Sequence, residues 1–202
     1  KDNKLYYEII KEFKKLSGVG ALLNTSLNLH GLPIVRTVKD AFYVFENSER
    51  RQKEESLEVM LNMENTETNG LGISLPGGKV EMYSYTTSGG LEYIGADNLG
   101  QVPKGQFTEL SSGRAFDVIG KRRVLNYDRQ RKSEEAVIEI QVTNARTEKV
   151  NVQLIEHINC DWIIKHESIN YQKKDASTIK FPFTLGPGET KYVTYTYRKE
   201  WK

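Results

Sequence analysis

The chain has a single cysteine, Cys160, among its 202 residues. That excludes an internal disulfide framework, and a reducing or a neutral compartment suits it, with the cytoplasm favoured for the chain as written. No apolar run approaches the roughly 18 to 20 residues needed to cross a bilayer, and the lysine-rich start lacks an apolar signal region, so no membrane contact is expected. A formal net charge of +2 creates no whole-molecule field to draw nucleic acid or an anionic surface. With only three histidines, none beside a nucleophile elbow, no Ser, His and acid set can be assembled. What remains is 38% hydrophobic and 28% charged, the balance of a globular chain long enough for one large domain or two small ones.

Two patterns divide the sequence. In "KLYYEIIKEFKKLSG" the apolar residues Leu5, Tyr6, Ile9, Ile10, Phe13 and Leu16 recur at helical spacing, and Gly18 stands where a C-cap belongs. "ALLNTSLN" reads as a short buried strand ending in polar residues, and Thr37 with Asp40 resembles an N-cap pair that opens a second helix through "VKDAFYVFENS". The run "ERRQKEE", residues 49–55, has no apolar residue and is expected as a charged linker. Beyond it the period becomes two: Leu57, Val59, Leu61 and Met63; Ile138, Ile140 and Val142; Val150, Val152 and Leu154. Ile179, Phe181, Phe183 and Leu185, then Val193, Tyr195 and Tyr197, follow the same rule across the turn "GPGET". The expected fold is mainly β: an antiparallel β-sandwich over residues 56–202, preceded by a small helix–strand–helix segment over 1–48. Trp162, Phe181 and Phe183 are expected in its core.

"NTSLN" and "GLPIV", within residues 24–35, place Ser26, Asn28, Gly31 and Pro33 at a spacing that resembles the C-terminal, YrdC-like end of the O-carbamoyltransferases of the nodulation U type. The resemblance extends over about residues 3–48. It implies a site for carbamoyl phosphate or a nucleotide such as ATP, with Ser26 and Asn28 offering a hydroxyl and an amide to phosphate oxygens and Gly31 permitting close approach of the backbone. Leu27 and Leu32 depart from the family pattern, the second replacing an acidic residue. The family's large metal-binding domain of the actin-like ATPase type, to which its transfer step belongs, has no counterpart in this sequence. Polar residues at a strand end also commonly just cap the following turn, and that reading stands beside the ligand one.

"NTETNGLGISLPGGKVEMYS", "LEYIGADNLGQVPKG", "LSSGRAFDVIGKRR" and the closing "YVTYTYRKEW" resemble the uncharacterised C-terminal β-sandwich of mucoidy inhibitor A-like proteins. This second resemblance covers residues 56–202. It implies a fold and an interaction role with a protein partner, and it carries over no catalytic residue.

Other constellations read as structure. "EHINCDWIIKH" gathers Glu156, His157, Cys160, Asp161 and His166, yet His157 and Cys160 would face opposite sides of a strand and no second cluster completes four ligands, so no metal is expected. "GKRRVLNYDRQRK" carries six basic residues against one Asp, and without a groove or further basic excess it reads as a solvated hairpin rather than a nucleic-acid surface. "SLPGGK" and "TLGPGET" lack the Lys-Ser/Thr ending of a phosphate loop and read as turns. The sequence therefore points to a non-catalytic structural or protein-interaction module with a carbamoyltransferase-like remnant at its start, without cofactor of its own. The alternative is a piece of an O-carbamoyltransferase that adds one wall to a carbamoyl phosphate or ATP site.

Overall fold

The computed structural model describes residues 41–69, 71–85 and 91–201, and among them the regular structure is almost wholly strand. In chain order the strands are β1 (Ala41–Ser48), β2 (Lys53–Glu64), β3 (Gly78–Tyr85), β4 (Leu91–Leu99), β5 (Phe107–Arg129), β6 (Ser133–Asn144), β7 (Val150–His157), β8 (Asp161–Glu167), β9 (Gln172–Lys173), β10 (Thr178–Leu185) and β11 (Thr190–Glu200), with one 3-10 turn at Glu67–Asn69. The chain divides into two compact units: the first includes Asn62–Leu110, the second joins Lys39–Leu61 to Ser111–Lys202.

In the first unit β3 and β4 form a two-stranded antiparallel sheet. Beside it a loop is organised by Asn65, which is fully buried. Its Nδ2 reaches the carbonyls of Ile73 (2.6 Å), Val102 (2.9 Å) and Pro103 (3.0 Å), while its Oδ1 accepts from the Gly72 amide at 2.9 Å. One short side chain thus satisfies backbone groups that a loop cannot pair by itself. Gly72 holds φ +91°, and a Cβ there would lie 2.4 Å from Glu67 Cγ, so both conformation and space call for glycine.

The second unit is organised by a nine-stranded sheet in the order β8-β11-β6-β5-β2-β1-β7-β10-β9. The sheet is mixed: β1 runs parallel to β7 and antiparallel to β2. Along β6 every second residue turns inward, and Ile138, Ile140 and Val142 are fully buried together with Val152 and Leu154 of β7, Phe181 of β10 and Val193, Tyr195 and Tyr197 of β11. The sheet curls far enough for distant strands to share this core. The rings of Phe181 and Tyr195 lie 5.3 Å apart although β10 and β11 are not neighbours. Its two outermost strands also meet, because Trp162 of β8 donates its indole N–H to the Ala176 carbonyl at 2.7 Å and stands under Lys173 of β9 at 4.6 Å.

Two expectations are corrected. The segment "AFYVFENS", expected within a helix, is β1, and the helix–strand–helix preface is not seen; residues 1–40, with the rest of that expectation, lie outside the described residues. The physical cause is four consecutive buried residues, Phe42, Tyr43, Val44 and Phe45, aromatic or β-branched, on a strand flanked by β2 and β7 and covered on both faces. The sheet is also not purely antiparallel, since β1 and β7 pair in parallel. Of the three expected core aromatics, Phe181 is fully buried, whereas Trp162 and Phe183 are half-buried and pack against the core from its margin.

Candidate functional site

The polar chemistry of the second unit collects around β1 and the turn that follows it. Hairpin pairing between β1 and β2 runs from Ala41↔Leu61 to Val44↔Glu58, while pairing with β7 continues to Ser48↔His157. Beyond Val44 the two strands part, and a groove of about 310 Å³ opens, lined by both charge signs. Within it Arg114 Nη1 stands 3.0 Å from Glu55 Oε2, Lys53 also pairs with Glu55, and His157 Nε2 lies 2.6 Å from Glu46 Oε1. Burial raises the Glu55 pKa, but hydrogen bonds and charge from Lys53 and Arg114 outweigh it and hold the carboxyl below its usual value. Asn47 also contributes to this groove; it is 4% exposed, and its carboxamide has no hydrogen-bond partner among the described residues.

Behind β1 lies a buried ion pair. Arg122 of β5 reaches both carboxylate oxygens of Glu156 through Nε at 3.0 and 3.1 Å, and Oε2 again through Nη2 at 2.8 Å. Both side chains are fully buried. Tyr195 donates its hydroxyl to Glu156 Oε2 at 2.5 Å, and Arg122 Nη1 donates to the Arg51 carbonyl at 2.6 Å, which fastens the end of the β1–β2 turn. Burial, and then the neighbouring Glu156 carboxylate, push the Tyr195 hydroxyl well above its ordinary pKa. Glu156 accepts from three donor atoms, Arg122 Nε and Nη2 and the Tyr195 hydroxyl, and Arg122 uses every nitrogen, which is the condition under which a buried pair is tolerated.

A second cluster clasps the turn from the other side. Lys199 of β11 donates to Glu49 Oε1 at 2.7 Å and lies 3.2 Å from Glu134 Oε1. Glu134 also accepts from Tyr127 and Tyr197, each at 3.1 Å. Burial opposes both charges, but their hydrogen bonds prevail: Glu134 is held below the usual carboxylate range and Lys199 above the usual ammonium range. Glu49 itself has φ +42°, an uncommon left-handed conformation for a side chain of its size, and its amide donates to the His157 carbonyl at 3.2 Å.

Ser26, Asn28 and Gly31, the candidate ligand residues, lie outside the described residues. The charged run 49–55 falls in the β1–β2 turn and the first residues of β2. The structure disperses the "EHINCDWIIKH" residues: Glu156 enters the core, His157 bridges Glu46 and Thr178, and exposed Cys160 sits in the turn after β7 at φ +66°. It also dismantles the basic run, burying Arg122, pairing Lys121 with Glu54 and Arg123 with Glu139, and laying Arg129 against Trp201. Sequence reasoning misses the Arg122–Glu156 pair because its members stand 34 positions apart with no local signal.

Comparison with known proteins finds one family, described as carbamoyltransferase C-terminus, over residues 1–53. The match ends at the first residue of β2, so it includes β1 and the turn that follows it. An uncharacterised protein of Methanocaldococcus jannaschii is 53% identical over 45 residues, which are 22% of this chain and 7% of that protein. An uncharacterised protein of Synechocystis is 43% identical over 47 residues, 23% of this chain and 8% of its own length. The chain thus spans less than a tenth of the length of either relative in these matches.

Proposed function

We propose that this chain is a non-catalytic structural or protein-interaction module of the β-sandwich type, joined to a remnant of a carbamoyltransferase-like phosphate-binding domain. The observation behind this reading is how the buried ionisable groups of the second unit are used: Arg122, Glu156 and Tyr195 bond to one another, and Lys199, Glu134 and Tyr197 do the same. Groups bonded to one another in this way and buried in the core hold strands in register. The likeness of residues 56–202 to the mucoidy inhibitor A-like domain belongs to the same reading, and so does a protein partner rather than a nucleic acid or a membrane. Exposed, unpaired Cys160 accords with a cytoplasmic setting.

A second reading rests on the match over residues 1–53. In it the chain is part of an O-carbamoyltransferase, and Ser26, Asn28 and Gly31 form one wall of a carbamoyl phosphate or ATP site. Isothermal titration of carbamoyl phosphate, and separately of ATP, into wild type and the Ser26→Ala/Asn28→Ala variant separates the two. The module reading expects no heat of binding from either protein. Millimolar or tighter affinity that weakens by about 1.5 to 3 kcal/mol per lost contact would establish the enzyme reading instead.

A further inference from the structure

We propose that the β1–β2 turn (residues 49–52) and the β5–β6 turn (residues 130–132) together form a docking surface for a carboxylate-rich segment of a partner protein. The role rests on the interaction-module reading and gives its partner a chemistry. Four cations gather there: Arg50 in the first turn, Arg129 at the end of β5, and Arg131 and Lys132 in the second turn. All four are exposed, and none has a carboxylate partner among the described residues, whereas Lys121, Arg122 and Arg123 earlier on β5 are each paired. The first turn is tied to the end of β5, because Arg50 covers the Tyr127 ring at 5.2 Å and its Nη1 donates to the Tyr127 hydroxyl at 3.2 Å. Arg129 lies over the Trp201 ring at 5.6 Å, and Trp201 donates its amide to the Lys132 carbonyl at 3.1 Å.

Neighbouring acids do not neutralise this surface. Glu49 and Glu134 are taken by Lys199, and Glu200 is taken by Arg198. Asp128 stands opposite Glu135, which pairs with Lys165, and alternation along β5 sets Asp128 on the face away from Tyr127 and Arg129. The cations are also held in place. Tyr127 is anchored by donating to Glu134 at 3.1 Å, so Arg50 rests on a fixed ring and keeps most of its donors free. A guanidinium held flat in this way presents the planar fork that takes a carboxylate through two parallel hydrogen bonds. Nucleic acid fits less well, because the aromatic faces that would stack bases are covered: Tyr127 lies between Arg50 and the core, and Trp201 lies under Arg129. Four cations also fall short of the roughly six to ten phosphate contacts that make nucleic-acid binding strong. The partner segment is therefore one with several Asp or Glu side chains in close succession.

The test follows the anisotropy of a fluorescein-labelled hexaglutamate peptide as the full chain is added, at about 50 and about 200 mM salt. Saturable binding is expected, and it should weaken at the higher salt. The Arg50→Gln/Arg129→Gln variant should bind roughly tenfold more weakly or worse, since it loses both guanidinium forks. Lys132→Glu should also weaken binding, whereas Lys149→Glu, the same charge change in the β6–β7 turn at the other end of β6, should alter it by less than about twofold. Urea midpoints close to wild type show that each variant is folded. Absence of saturable binding, or equal losses from Lys132→Glu and Lys149→Glu, would overturn the docking surface. Tighter uptake of labelled hexauridylate than of hexaglutamate would overturn it in favour of a nucleic-acid surface. The interaction-module reading fails on a different signal, binding of carbamoyl phosphate or ATP that depends on Ser26 and Asn28, so the two failures are distinguishable.

Discussion

The ring of Phe45 occupies the space that a side chain on Gly120 would need: an added Cβ would lie 2.6 Å from Cδ2 and 2.7 Å from Cε2. Glycine in a strand interior weakens the strand by itself, so its presence in β5 is explained by what sits above it. Gly120→Ala should destabilise the second unit by about 1 to 3 kcal/mol, because the ring must leave its place or the strand must shift. Phe45→Ala should cost roughly 3 to 5 kcal/mol, and the double variant should cost less than the sum, since the new methyl group enters space already emptied. Urea midpoints of the four proteins measure the coupling, and strict additivity would show that the two residues do not compete for space.

Arg122 and Glu156 supply a second test. Removing one partner leaves a buried charge unpaired, so Glu156→Gln or Arg122→Met should each cost about 3 to 5 kcal/mol. Replacing Arg122, Glu156 and Tyr195 together by Met, Leu and Phe should be far less costly, since no charge or unpaired hydroxyl then remains. The comparison is made by denaturant unfolding. A triple variant as unstable as the worst single one would mean that the pair itself, and not the cost of an orphaned charge, sets the stability.

Asn47 adds a prediction of opposite sign. It is buried, stands opposite Glu156 in the β1–β7 register, and its carboxamide has no partner among the described residues. A buried amide without hydrogen bonds costs about 1 to 3 kcal/mol relative to its paired state. Asn47→Leu, similar in shape and apolar, should therefore raise the unfolding midpoint by a corresponding amount. A lowered midpoint would mean that the carboxamide is satisfied in solution.

How much of this was legible in the sequence depends on which faces each strand buries. β6, β7, β10 and β11 turn one face to the core, and their period of two gives them away through residues such as Ile138, Val152, Phe181 and Tyr195. β1 carries no period, because Phe42 to Phe45 are buried consecutively, and a short run without alternation suits a helix as well as a central strand. β5 hides for another reason: its core position at residue 122 is an arginine, which pattern reading assigns to solvent. Only the distant Glu156 makes that burial tolerable, and distance along the chain leaves no mark in composition. The candidate ligand residues Ser26, Asn28 and Gly31 rest on family likeness alone, a motif and not a physical pattern, and lie outside the described residues.

The cluster that clasps the β1–β2 turn makes stability depend on pH at both ends. Glu134 has its folded pKa depressed below the ordinary value of 4.5: burial opposes this, but Lys199 and the two tyrosine hydroxyls prevail. Its contribution is present above the unfolded value and is lost as pH falls through the folded one. Lys199 has its folded pKa raised above 10.5, with burial opposing and Glu49 and Glu134 prevailing. Its contribution is present below the unfolded value and is lost as pH rises through the folded one. Between these limits, from roughly pH 5 to 10, neither group should change stability. Unfolding free energies of wild type and Glu134→Gln measured across the acid range should therefore converge as pH falls below 4.5, because protonation removes from the wild type what the substitution has already removed. Lys199→Met should likewise converge with wild type above pH 10.5. Other titrating groups act on both members of each pair and cancel in the difference, so a difference that stays constant across either window would show that the cluster does not bear on folding.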